Sequence, residues 1–76
     1  MPHVIVKLYS GKSGQQKQAL AQAVTDAVTS ALAYGEQSVS VGIEDVEPRD
    51  WTEQVYKPDI IAKADTIYKK PGYDPR

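Results

Sequence analysis

The chain has 76 residues, a formal net charge of -1, 41% hydrophobic and 25% charged residues, no cysteine and one histidine. That length fits one small domain over residues 1–76 with a marginal core of its own, and the composition excludes disulfides, thiolate zinc sites, a Cys nucleophile and a His-rich metal centre. The near-balanced charge carries no Lys/Arg stripe for a nucleic-acid partner, and no apolar run approaches a membrane span or a leader segment, so a cytoplasmic protein with no membrane partner is expected. With disulfides and metals removed, self-association is the remaining stabiliser, and a homo-oligomer is expected.

Met1-Pro2 opens the chain. Small second residues permit removal of an initiator methionine, and Pro2 would then present a rigid secondary amine at the head of a strand. An exposed α-amine titrates at about 7.7–8.0, and desolvation or a nearby cation lowers that value. Such a group is a general base near neutrality. With Met1 attached, the Pro2 nitrogen is an amide without a basic lone pair.

Residues 3 to 9 alternate with period two, placing Val4, Val6 and Leu8 on one face and His3, Ile5, Lys7 and Tyr9 on the other, which predicts a β-strand. Ser10 to Gly14 reads as a turn. Its Gly11-Lys12-Ser13 lacks the upstream glycine of a phosphate-binding loop, since that position is Val6. Ser13 followed by Gln16 predicts a capping box, and the helix beyond it carries Leu20, Val24, Ala27, Val28, Ala31 and Leu32 at helical spacing. Gly35 is the expected stop. Its many alanines predict close packing on a sheet.

From Ser38 the period of two returns, with Val39, Val41 and Ile43 against Ser40, Gly42 and Glu44. A helix between two strands predicts a right-handed parallel crossover, and so a β-α-β unit. Gly42 inside the strand suggests a bulge or a close backbone approach. Arg49 to Tyr56 reads as a short helix interrupted at Pro58. Asp59 to Lys70 reads as a second helical piece with Ile60, Ile61, Ala64, Ile67 and Tyr68 as its apolar stripe, ended by Pro71-Gly72. The fold class is α/β (α+β): a two-stranded parallel sheet plus C-terminal helical segments. Its open edges and uncovered face would be closed by copies of the chain.

Four features in order resemble the 4-oxalocrotonate tautomerase family: Met1-Pro2 before a strand, Gly11-Lys12-Ser13 with Gln16-Lys17 at the helix start, Ser38-Val39-Ser40-Val41 at the second strand, and Trp51 at an aromatic slot. The C-terminal Lys69-Lys70-Pro71-Gly72-Tyr73 is similar to the bacterial phenylpyruvate-tautomerase-like short branch. The resemblance implies a β-α-β fold assembled as dimers or hexamers, with no metal and no organic cofactor. It implies an isomerase in which Pro2 is the catalytic acid–base, taking a proton from an enol and returning it to carbon.

The substrate class it implies is a small-molecule 2-oxo acid. The family's cation at the helix start maps onto Lys12, which keeps the charge but loses the bidentate fork. Its second arginine maps onto Ser40, which donates a hydrogen bond without a charge and so favours a phenylpyruvate-like monocarboxylate over a dicarboxylate. Arg49 or His3 is the candidate replacement cation, and Trp51 the candidate wall that keeps the pocket dry. Two alternatives stand beside this reading: dehalogenase or hydratase chemistry of the same superfamily, and a non-catalytic oligomer binding a small acid if Met1 is retained.

Overall fold

The computed structural model describes all of residues 1–76. Strand β1, His3–Tyr9, and strand β2, Ser40–Val46, form a two-stranded parallel sheet. The register runs unbroken from His3 opposite Ser40 to Tyr9 opposite Val46. Gly42 therefore sits opposite Ile5 with no bulge, and a Cβ built on it meets nothing within 4 Å, so the expected bulge or close approach is absent.

Helix α1, Gly14–Leu32, begins as its sequence dictates. Ser13 Oγ accepts from Gln16 N–H at 3.1 Å, and Gln16 Oε1 accepts from Ser13 N–H at 2.9 Å, so two otherwise orphaned donors are satisfied reciprocally. Gly11 makes the preceding turn at φ 124°, a conformation open to residues without a Cβ. The helix ends at Leu32, the last of its apolar positions, and Ala33 rather than Gly35 takes the left-handed conformation at φ 59°, its N–H donating to Thr29 O. After Gly35, Glu36–Ser38 form a single 3₁₀ turn, so β2 starts at Ser40 rather than Ser38.

Val4, Val6 and Leu8 are half-buried beneath α1, and Lys17 on the helix pairs with Asp45, the register partner of Leu8, at 2.7 Å. Residues of opposite parity point to the other face of the sheet. There Lys7 forms an ion pair with Asp59, and Tyr9 meets Trp51 edge-on with ring centroids 5.0 Å apart. Both partners lie beyond β2, so the C-terminal segment crosses to the sheet face opposite α1. It covers the ends of the strands marked by Lys7, Tyr9 and Val46, and leaves His3, Ile5 and Ser40 open.

The C-terminal segment differs from expectation. A 3₁₀ turn at Pro48–Asp50 leads through Trp51 into a π-type helix over Thr52–Ile61, which runs through Pro58 instead of breaking at it. An α-helix would drive the proline ring into the carbonyl four residues back and ask its nitrogen for a hydrogen it lacks. The wider winding bonds residues other than Pro58 to the fifth before them, as in Ala62 N–H to Lys57 O at 2.9 Å, and avoids that collision. The expected helix from Asp59 to Lys70 does not form. Asp59 to Ile61 finish the π-type helix, Ala64–Thr66 make one 3₁₀ turn, and the rest is irregular. Most helical stability comes from packing an apolar face, and this stripe finds little to pack on: Ile61 is 44% and Tyr68 102% exposed.

Only Val46 and Val55 are buried, at 7% and 5% exposure, on the side of the sheet that the C-terminal helix covers. The radius of gyration is 13.8 Å, against about 11 Å for a compact chain of this length. One chain leaves much of its apolar surface in water.

Candidate active site

Pro2 lies at the open end of β1, where its carbonyl accepts from Ser40 N–H at 3.1 Å. That bond ties the residue to the first position of β2. Beside it, His3 Nδ1 and Ser40 Oγ are 2.6 Å apart, joined because the parallel register sets these two residues opposite each other on one face. Met1 is 93% exposed. Removing it would free the Pro2 amine without opening a packed surface.

The other sequence-derived site residues stand elsewhere. Lys12 lines a hollow with Leu8, Gln16, Lys17 and Leu20, at the far end of β1. From Pro2 to Leu8 is six strand residues, about 20 Å at ~3.3 Å per residue. Trp51 packs against Tyr9 at that same far end, and Arg49 is two residues before it in the turn Pro48–Asp50. Arg49 and Lys12 are both exposed and neither takes part in an ion pair. The chain thus holds Pro2 with a hydrogen-bonding pair at one end of the sheet and two cations outside any ion pair, with an indole, at the other. No three His, Cys, Asp or Glu side chains gather to hold a metal ion.

The model of the family described as "Tautomerase enzyme" matches residues 2–55. The chain belongs to the tautomerase family. It is similar to a Xylella fastidiosa (strain 9a5c) protein named "Probable tautomerase", 42% identical over 73 residues, covering 96% of this chain and 89% of the relative. It is also similar to the tautomerase PptA of Cronobacter sakazakii (strain ATCC BAA-894), 39% identical over 75 residues, covering 97% and 99%. Among solved structures it resembles a 4-oxalocrotonate tautomerase isozyme from Methylibium petroleiphilum, with TM-score 0.64 and 32% identity over 66% of this chain and 81% of that one. The enzyme is an isomerase of the tautomerase type with the β-α-β fold, and its family match begins at Pro2.

Charge in this tautomerase is arranged around the C-terminal segment. The Lys7 ammonium is held above its usual range, first by its hydrogen bond to Asp59 and then by the charges of Asp59 and Glu44. Glu44 is the register partner of Lys7, so one lysine serves both strands and the helix that covers them. Near the end of the chain, the Arg76 guanidinium and backbone hold the Asp74 carboxyl down to about 2. Arg76 in turn lies over the Tyr56 ring, 5.1 Å from its centroid. These contacts fold the tail back on the π-type helix and leave a shallow, solvent-open hollow of about 420 Å³, lined in part by Tyr56, Ile60, Ile67 and Tyr73.

The sequence offers His3 as a replacement for the cation missing at Ser40, and the structure joins the two side chains directly. That link depends on the strand register, which periodicity does not reveal. No helix of the tautomerase is long and apolar enough to cross a membrane.

Proposed function

We propose that this tautomerase ketonises the enol of a phenylpyruvate-like 2-oxo monocarboxylate, with Pro2 as general base and acid once Met1 has been removed. The observation that carries the reading is the placement of Pro2: its residue is fixed to β2 through Ser40, its preceding methionine is free in solvent, and the sheet face beside it is open. In the reaction, the neutral proline nitrogen takes the proton from the 2-hydroxyl of the enol. The electron pair of the O–H bond becomes the carbonyl π bond, the carbon–carbon double bond supplies its electrons to C3, and the prolinium returns the proton there. Atoms balance, and the nitrogen ends as it began.

A carboxylate beside this site needs a cation, and Lys12 and Arg49 of the same chain stand at the other end of the sheet. The hollow that Lys12 shares with Leu8 is about 20 Å away along the sheet, and Arg49 follows the same end of β2, so the reading takes both from a neighbouring copy. A homo-oligomer, dimer or hexamer, would bring one copy's Lys12, Arg49 and Trp51 to another copy's Pro2 and Ser40. It would also cover the apolar surface that each chain exposes. Lys12 would hold the carboxylate, Arg49 would add a second positive charge, and Trp51 would exclude water and so strengthen both interactions. Residues 1–76 act as one tautomerase domain in this reading, in the cytoplasm, with no metal, organic cofactor, nucleic acid or membrane as partner.

The test pairs intact-mass analysis of the native protein with ketonisation of phenylenolpyruvate by wild type and Pro2→Ala. A chain beginning at Pro2, active as wild type and severely impaired as Pro2→Ala, is the expected result. Equal rates for the two proteins would end the proline mechanism.

A further inference from the structure

We propose that His3 is a positioning residue for the reaction: its Nδ1–H donates to Ser40 Oγ and so leaves the Ser40 hydroxyl hydrogen free for the substrate oxygen that gains charge beside Pro2. This rests on the reading of Pro2 as the base.

The geometry is local and specific. His3 and Ser40 are register partners on one sheet face, with Nδ1 and Oγ 2.6 Å apart. The Ser40 backbone N–H is already committed to the Pro2 carbonyl, so Ser40 is fixed against the residue that carries the base. The face in front of the pair is open: Ile5 is 51% exposed and nothing lies within 4 Å of the place where a Gly42 Cβ would stand. A planar substrate approaching Pro2 across that face meets no side chain from Gly42.

The direction of the hydrogen bond decides what Ser40 offers. A serine hydroxyl has one hydrogen and two acceptor lone pairs, while a neutral imidazole donates from one nitrogen and accepts at the other. If Nδ1 is bare, it takes the Ser40 hydrogen, and the serine turns only lone pairs toward an enolate oxygen. If Nδ1 carries the hydrogen, it fills one serine lone pair, and the hydroxyl hydrogen points elsewhere. Ketonisation begins by removing a proton from the 2-hydroxyl, which leaves an electron-rich oxygen that a prepositioned donor stabilises in the transition state. Only the second arrangement supplies that donor. The Nδ1–H tautomer thus lets a neutral serine act where a charged side chain would otherwise be needed.

His3 is the only histidine of the chain, so its ring nitrogens give an unambiguous ¹⁵N spectrum. A protonated Nδ1 at neutral pH is expected, and a bare Nδ1 overturns the proposal. In phenylenolpyruvate ketonisation, Ser40→Ala should lower kcat roughly 10- to 100-fold with a smaller change in KM. His3→Phe should cause a loss of the same order. His3→Asn should recover most of it, because its amide N–H donates from nearly the same place. The double variant Ser40→Ala/His3→Phe should be no slower than Ser40→Ala, as residues acting through one bond are not additive. Losses that multiply in the double variant would show that His3 acts apart from Ser40 and would overturn the proposal. Equal rates for wild type and Pro2→Ala would instead defeat the base assignment, and the ring-nitrogen spectrum would still decide the His3–Ser40 bond.

Discussion

Mixing two impaired variants of this tautomerase should restore activity, because Pro2 and Lys12, the proposed base and the proposed carboxylate-binding cation, stand at opposite ends of one chain. Pro2→Ala removes the amine and Lys12→Ala removes the ammonium. Lys12 shares its hollow with Leu8, which is about 20 Å from Pro2 by strand rise, while a lysine side chain extends only ~6 Å from its backbone. No rotamer closes that gap within a protomer. If each site takes Pro2 from one copy and Lys12 from another, a random equimolar mixture makes each of the two residues native at half of the sites, independently. About one quarter of the sites then carry both, whatever the ring size.

The assay is phenylenolpyruvate ketonisation after the two variants are unfolded, mixed and refolded together, compared with each variant treated alone. About one quarter of the wild-type rate per site is expected from the mixture, well above the average of the separate variants. A mixed rate equal to that average would refute the shared site and with it the assignment of Lys12.

Two further outcomes follow from local chemistry. Ser13→Ala removes the acceptor for Gln16 N–H at the start of α1 and should lower stability by about 1 kcal/mol, read as a shift in the urea midpoint at unchanged slope. The Asp74 carboxyl, held near 2 by Arg76, should stay ionised in an NMR pH titration well below the ordinary carboxylate range. Its folded pKa lies below its unfolded one, so the clasp contributes fully above pH 3.8 and fades as pH falls through about 2. Arg76→Ala should return the carboxyl toward its ordinary value, and an unchanged titration would refute the pairing.

The elements legible from residues alone were those whose stabilising groups lie close together in the chain. β1 occupies the His3–Tyr9 span that its alternation marks, and Ser13 and Gln16 cap α1 within three residues of each other. Where local signals competed with packing, they failed. Gly35 offered a helix stop, yet Ala33 took the left-handed turn. Pro58 offered a break, yet a wider winding carried the helix through to Ile61. Beyond it, the Ile60-Ile61-Ala64-Ile67-Tyr68 stripe had helical spacing but too little surface to rest on, and became a single turn.

By itself the sequence determined the β-α-β order of the first three elements, the parallel pairing that a helix between two strands requires, and the set of residues able to move a proton or hold an acid. These follow from spacing and side-chain chemistry, which are properties of neighbours. The tertiary structure decided what stands beside what: His3 against Ser40, Lys7 against Asp59, and Lys12, Arg49 and Trp51 at the opposite end of the sheet from Pro2. Those relations depend on strand register and on which sheet face the C-terminal segment crosses. Both are set by contacts between residues dozens of positions apart, and no local pattern encodes them.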